Sequence, residues 1–304
     1  MNQISKVTVI GASGTLGTIV LHGLLRFSSF KVTVLVRSSS PASFPAQVSV
    51  VKADYKSESE LVKAFEGQDA IISTVGAAAF LDQKVLIDAA IKAKVQRFIP
   101  SEFSSNTQSA AVRDLVPVFG TKLEVLNYLK EKEHTGLSWT GLAVGPLFDW
   151  GLKNGFLGFD IASKKARIWD EGSVAFSATN QDDVARSLIA ILQKPSQTAN
   201  RYLYIETVAA SQNQILKSLE MATKQGWSVE RVNTSDLVER GRRQVAAGDF
   251  TGNFPLVQAS IWGNLVGLRS NYSVDEDLSN MLLGLEYGHL DALMNSIVNS
   301  NGET

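Results

Sequence analysis

Val7-Thr8-Val9-Ile10-Gly11-Ala12-Ser13-Gly14-Thr15-Leu16-Gly17 is a short apolar run that breaks at a glycine and continues with glycines three residues apart. Val7, Val9 and Ile10 read as a buried strand, and residues 16–25 read as a helix. Gly11 would make the tight turn out of the strand. Gly14 would let backbone approach a pyrophosphate, and Gly17 would let the helix pack closely on the sheet. The free N–H groups and positive dipole end of that helix would face the anion. The turn as a whole, Gly11, Ser13, Gly14, Thr15, Leu16 and Gly17, is therefore the expected phosphate-binding element. A second strand over 31–36 completes a strand–helix–strand unit of about 30 residues, the setting that such a turn requires.

The residue ending that second strand selects between dinucleotides. A carboxylate roughly 20 residues beyond the glycines bonds a ribose 2′-hydroxyl, whereas an arginine suits a 2′-phosphate. Arg37 stands twenty positions after Gly17, Ser38, Ser39 and Ser40 follow it, and no carboxylate lies between Lys31 and Ala53. The expected cofactor is NADP(H).

Strand and helix patterns then alternate. Strands are expected over 48–51, 70–75, 97–100 and 137–144, and helices over 58–65, 82–93 and 117–132. Such alternation predicts an α/β, Rossmann-type, doubly wound parallel sheet with ligands at the carboxyl ends of its strands. Past Gly145 the rhythm loosens, and Gly145, Gly151, Gly155, Gly158 and Gly172 fall among Phe148, Trp150, Phe156, Phe159 and Trp169. Aromatic anchors on flexible loops suit a substrate-covering subdomain. The expected organisation is a dinucleotide-binding domain over 1–145 and a smaller substrate-binding portion over 146–304, interleaved with the sheet, with an unordered tail from about Asn299.

Composition narrows the partners. The 304 residues suffice for a sizeable core, and the absence of cysteine excludes disulfides, thiolate metal sites and cysteine nucleophiles. A net charge of −1 offers no footprint for nucleic acid or anionic membrane. The first strand starts almost at once, and the longest apolar stretch, around 70–81, is too short to span a bilayer. The expectation is a cytoplasmic protein with a small-molecule substrate and no metal, nucleic-acid or membrane partner, its oligomeric state unassigned.

Six segments carry a family resemblance: Val9-Ile-Gly-Ala-Ser-Gly-Thr-Leu-Gly17, Val34-Leu-Val-Arg37, Lys52-Ala-Asp-Tyr55, Arg97-Phe-Ile-Pro-Ser-Glu-Phe103, the helix around Lys122, and Gly145-Pro-Leu-Phe-Asp-Trp-Gly151. The chain resembles the atypical short-chain dehydrogenase/reductases of the isoflavone reductase-like and NmrA-like group, from Lys6 to about Leu192. Phe-Ile-Pro-Ser-Glu-Phe is the most specific piece, because glycine turns are shared by every Rossmann protein. The resemblance implies an NADPH-dependent reductase delivering hydride to a small aromatic, phenolic or α,β-unsaturated (enone) secondary metabolite. Its NmrA-like branch implies instead a non-catalytic NADP(H)-sensing regulator.

Typical short-chain dehydrogenases use Tyr-x-x-x-Lys, and two placements exist here. Tyr128 and Lys132 fit the spacing, but they fall near the end of their helix and are expected to be a half-buried packing residue and a solvated lysine. At the start of the same helix, Val118-Phe-Gly-Thr-Lys122 keeps the lysine and lacks the tyrosine. The resemblance implies that Lys122 is the acid/base. Thr74, Val75 and Gly76 would then meet the adenosine or ribose, and Ser101, Glu102 and Phe103 the nicotinamide ribose. Gly145, Pro146 and Phe148 would cover the nicotinamide and substrate. Glu102 also reads as a salt-bridged loop carboxylate, and Ser104 replaces the family's usual glycine. His22 and His134 read as structural.

Overall fold

Seven strands form the central sheet of the computed structural model, which describes residues 2–301. They are β1 (Lys6–Ile10), β2 (Lys31–Arg37), β3 (Ser49–Ala53), β4 (Ala70–Ser73), β5 (Arg97–Ile99), β6 (Ser138–Ala143) and β7 (Arg201–Tyr204). Their order is β7-β6-β5-β4-β1-β2-β3. β1 runs parallel to both β2 and β4, with Val7 opposite Val32 on one side and Ala70 on the other. The chain therefore winds outward from β1 in one direction, then returns to continue in the other. This reversal between β1 and β4 is the switch point at which doubly wound sheets bind ligands. Residues 32–36 of β2 are all buried, and all but Thr33 are apolar, as expected of a parallel strand covered on both faces.

Helices that accompany the sheet include α1 (Thr15–Phe27), α2 (Glu58–Phe65), α3 (Gln83–Lys92), α4 (Val118–Glu131) and α5 (Gln181–Gln193). Ile10, Leu35, Ile71 and Phe98 of the sheet share a core with Leu61 and Phe65 of α2, Leu86 and Ile87 of α3, and Val125 and Leu126 of α4. α1 instead meets α5 at Gly23, where an added Cβ would lie 2.1 Å from the Ala185 Cβ.

Periodicity does not mark the seventh strand, which belongs to the portion expected to interleave with the sheet. It lies where the rhythm had loosened, and it aligns on β6 through Asn200 N–H to the Trp139 carbonyl (2.7 Å) and Ile205 N–H to the Ala143 carbonyl (3.1 Å). The chain accordingly divides into two compact units, one of Met1–Phe103, Thr121–Leu142 and Val184–Leu203, the other of Ser104–Gly120, Ala143–Asp183 and Tyr204–Thr304. A single cut at residue 145 does not reproduce this division. Residues 104–120 fall in the second unit, and 184–203 in the first, where β7 pairs with β6.

The second unit has an aromatic core that includes Phe148, Phe159, Trp169, Phe176, Trp227 and Trp262. Short strands surround it: Phe159–Asp160, Lys165–Trp169 and Ser228–Val232 in one sheet, Ala175–Ala178 and Val208–Ser211 in another. The expected unordered tail is helical through Asn301, as part of Leu290–Asn301, and 302–304 lie outside the described residues.

Candidate active site

The three glycines of the first turn do different work. Gly11 has φ +81°, and a Cβ there would lie 2.7 Å from the Thr74 carbonyl oxygen. That close approach follows from the switch point, where both the N–H and the hydroxyl of Thr74 donate to the Ile10 carbonyl, at 2.8 and 2.7 Å. A Cβ on Gly17 would come within 2.1 Å of the Gly11 oxygen. The fold itself thus demands Gly11 and Gly17. It does not demand Gly14, whose backbone is ordinary (φ −81°, ψ 168°) and whose Cβ would meet only the Gly11 oxygen, at 3.4 Å. Gly14 is the N-cap of α1, no side chain caps the helix, and its first turn carries no acidic residue. Ser13, Gly14 and Thr15 are exposed at this positive helix end, with Leu16 half-buried beside them.

Arg37 ends β2 with its side chain exposed. The following turn is closed by Ser40 N–H to the Arg37 carbonyl (2.8 Å) and Ser38 N–H to the Ala53 carbonyl (3.1 Å). Nearby, Tyr55 donates to the Leu35 carbonyl at 2.9 Å; burial pushes its hydroxyl up to about 12 against the opposing charge of Arg37.

Lys122 lies one turn into α4 and is only 5% exposed. Its ammonium donates to the Glu102 carbonyl and stands 4.9 Å from the centroid of the Phe80 ring. Burial lowers its pKa from 10.5 to about 8, and the Glu102 charge offsets part of that effect. Glu102 is itself buried, and its carboxylate accepts from the Tyr202 hydroxyl at 3.1 Å. Ser101 is tied on both sides, its N–H to Gln83 Oε1 (2.9 Å) and its hydroxyl to the Val75 carbonyl (2.8 Å). Gln83 in turn donates to the Phe80 carbonyl at 3.0 Å. Val75 is half-buried, Gly76 is exposed, and half-buried Phe103 takes φ +25°, an uncommon value for a non-glycine residue. Within the first unit the structure therefore brings Lys122 together with Glu102, and Ser101 with Val75. Phe80, Gln83 and Tyr202 complete the arrangement, and no sequence motif marked them. Tyr202 belongs to the strand that periodicity did not reveal.

Tyr128 and Lys132 sit elsewhere on the first unit. The Tyr128 hydroxyl donates to Asp88 Oδ1 at 2.6 Å, and the Lys132 ammonium lies 3.8 Å from the same oxygen. The Lys132 side chain is 31% exposed, so the literal Tyr-x-x-x-Lys match is a surface cluster with Asp88. His134, also exposed, bonds the Glu131 carbonyl through Nδ1 at 2.8 Å. His22 is exposed on α1.

Gly145, Pro146 and Phe148 belong to the second unit. Gly145 has φ +61°, and a Cβ there would meet the Ser177 carbonyl at 2.2 Å, so this glycine serves a close backbone approach. Pro146 accepts from the Thr179 N–H at 3.0 Å. Phe148 is 0% exposed and packs in the aromatic core. Ser104, in the family's glycine position, accepts from Val144 N–H (3.3 Å) and Gly145 N–H (3.2 Å) through its carbonyl, a role open to any residue. Among the described residues there is no cluster of three or more metal-ligating side chains, and no helix is long and apolar enough to cross a membrane.

The sequence profile of the NmrA-like family matches residues 3–245. The chain belongs to this family. Oxidoreductase aprR of Aspergillus flavus is 38% identical over 295 residues, covering 96% of this chain and 98% of that one. Isoflavone reductase homolog IRL of Zea mays is 26% identical over 315 residues, covering 97% and 98%. The structure of AtPrR2 with NADP+ and (+)pinoresinol has the same fold, with a TM-score of 0.76 at 19% identity over 98% of this chain and 100% of that one. This NmrA-like protein is an oxidoreductase of the isoflavone reductase-like group.

Proposed function

We propose that this protein is an NADPH-dependent reductase of a small aromatic, phenolic or α,β-unsaturated metabolite, with Lys122 as its acid/base. The observation that carries the proposal is the burial of the Lys122 ammonium, which lowers its pKa to about 8. An ordinary lysine holds its proton too tightly to act as an acid near neutral pH. At pH 7 this one remains about nine-tenths protonated while giving up its proton far more readily. The Glu102 carbonyl fixes the ammonium, and the Phe80 ring beside it keeps water away.

The residues present suit NADP(H). Gly14 is a glycine that the fold does not need, at an uncapped helix end where an anion is favoured. Arg37 supplies a charge-assisted donor for the 2′-phosphate. Thr74, Val75 and Gly76 would line the adenosine side, with Ser101, Glu102 and Phe103 toward the nicotinamide ribose. Bound NADPH would supply the hydride, while Lys122 gives a proton to the substrate oxygen or polarises it. The AtPrR2 structure, which has the same fold and is a complex with NADP+ and (+)pinoresinol, supports NADP(H) and a small-molecule substrate for this reading.

The test is a screen of phenolic and enone compounds for NADPH oxidation. Lys122→Met keeps most of the side-chain volume and removes the charge. Turnover of the best compound should fall by ~10²–10⁴-fold, with NADPH affinity changed by at most about tenfold. Tyr128→Phe should be nearly silent, and equal damage from both variants would place the acid at the wrong turn of α4. A protein that turns over no compound yet binds a partner differently in its NADP+ and NADPH forms would be a sensor instead.

A further inference from the structure

A glycine inside a strand weakens it and commonly marks a close approach by another group. Gly141 is such a residue, buried in β6, and the group that approaches is the ring of Tyr202 on the neighbouring strand β7. A Cβ on Gly141 would lie 2.5 Å from Tyr202 Cδ2 and 3.0 Å from Cε2, so the half-buried ring rests on β6 where a side chain is missing. From that seat its hydroxyl donates to Glu102 Oε2 at 3.1 Å. The bond joins residues 100 positions apart, and a third segment of the chain prepares it.

Glu102 in turn acts on Lys122. Both side chains are buried, the Glu102 carbonyl accepts from the ammonium, and the Glu102 charge raises the lysine's proton affinity against the effect of burial. The other charged groups of the surrounding elements are engaged elsewhere. On α3, Lys84 pairs with Glu124 of α4 at 3.5 Å, Asp88 with Tyr128 and Lys132, and Lys92 with Glu58 at 2.6 Å. Arg97 of β5 bonds Ser138, Thr140 and Thr198. Asp82 before α3, Lys130 and Glu131 of α4 and Arg201 of β7 are exposed, and β6 carries no charged residue. Phe80 and Gln83 are neutral. A carboxylate buried beside a lysine is tolerated only if its lone pairs stay bonded, and the Tyr202 hydroxyl supplies such a bond.

We propose that Tyr202 and Glu102 are positioning residues that act through Lys122: the Tyr202 hydroxyl, seated over Gly141, holds the Glu102 carboxylate in place, and that negative charge keeps the buried lysine protonated. Without the carboxylate, burial acts unopposed, and more of the lysine is the neutral amine, which has no ready proton to give. The catalytic consequence, an acid charged at working pH, rests on the reductase reading, whereas the coupling of the three side chains does not.

Lysine labelled with 13C at Cε reports Lys122 directly, its signal assigned by its absence from Lys122→Met and followed through a pH titration. The midpoint, about 8 in the natural protein, should fall by about one pH unit in Glu102→Gln, which removes the charge and keeps the carbonyl and the shape. Tyr202→Phe removes one oxygen and should lower the midpoint by less. Added to Glu102→Gln it should change nothing more, because the tyrosine acts through the glutamate. Tyr202→Phe also carries the test if Glu102→Gln does not fold. With a phenol or enone that the protein reduces, Glu102→Gln should lose about fivefold in turnover at pH 8 and almost nothing at pH 6, a dependence that lost packing would not produce. A midpoint unmoved or raised in these variants overturns the proposal, as does an equal loss of turnover at the two pH values. A midpoint that falls as expected in a protein that reduces no compound supports the coupling and removes the reductase reading. Turnover with a fixed midpoint keeps the reductase and removes the coupling.

Discussion

The roles proposed for Arg37 and Lys122 are separable, and each side chain can be removed alone. A charge-assisted hydrogen bond from Arg37 to a 2′-phosphate is worth about 1.5–3 kcal/mol, a preference of roughly 10- to 150-fold for NADPH over NADH. Because the side chain is exposed at the end of β2, Arg37→Ala should erase most of that preference in calorimetric titrations and barely change NADH affinity. Equal affinities in the unaltered protein would sink the assignment. For Lys122 the prediction concerns stability. Its folded pKa of about 8 lies below its ordinary 10.5, so the unfolded chain binds more protons between those values and stability rises with pH across that window. Burying the charge costs ~3 kcal/mol gross below about pH 8. Lys122→Met removes that cost and loses a charge-assisted hydrogen bond worth about 1.5–3 kcal/mol. It should therefore denature at the same or a higher temperature than the natural protein at pH 7, with its relative stability falling as pH rises from about 8 towards 10.5. A variant less stable at pH 7 would show that the ammonium is not held at an energetic cost. The sequence could propose Lys122 only through its family resemblance. Its burial depends on Phe80 and Glu102, respectively 42 and 20 positions earlier in the chain.

At the scale of one element, the glycine turn separates fold from function. Gly17→Val would force a side chain to within about 2 Å of the Gly11 oxygen, as the 2.1 Å Cβ clearance indicates, and should leave little folded protein. Gly14→Val meets only a 3.4 Å contact and keeps an accessible backbone conformation, so its thermal midpoint should stay close to that of the natural protein. Its branched side chain would nevertheless project where the pyrophosphate is expected, and NADPH binding should collapse. Normal calorimetric binding by Gly14→Val would place the phosphates elsewhere. Periodicity located this element within two residues at each end, because the strand, the turn and the helix each announce themselves locally: expected 16–25, observed Thr15–Phe27. The same local logic reads Tyr128 as half-buried packing and Lys132 as a solvated lysine, and the structure gives them Asp88 as a partner.

For the whole molecule, the segment that returns late in the chain tests what holds the first unit together. Arg97 is 0% exposed and donates to Ser138 Oγ (2.9 Å), Thr140 Oγ1 (2.8 Å), Thr198 Oγ1 (3.0 Å) and the Pro195 carbonyl (2.6 Å). A fragment of residues 1–145 would lack the last two partners, leave β6 as an unpaired edge and bare α1 at Gly23. It should aggregate on gel filtration and show no cooperative thermal transition; a monomeric, cooperatively folding fragment would refute this. What the sequence determined by itself were features with short-range physical causes: the glycine turn, the strand–helix alternation to residue 144, and Arg37 at a strand end. Periodicity and turn chemistry act over a few residues and need no partner to be read. Tertiary structure alone decided that Arg201–Tyr204 completes the sheet, that Phe148 is core, that Tyr202 and Gln83 stand by Glu102 and Ser101, and that Lys122 loses its solvent. Each of those depends on groups far apart in the chain, where pairing and desolvation arise only when the fold closes.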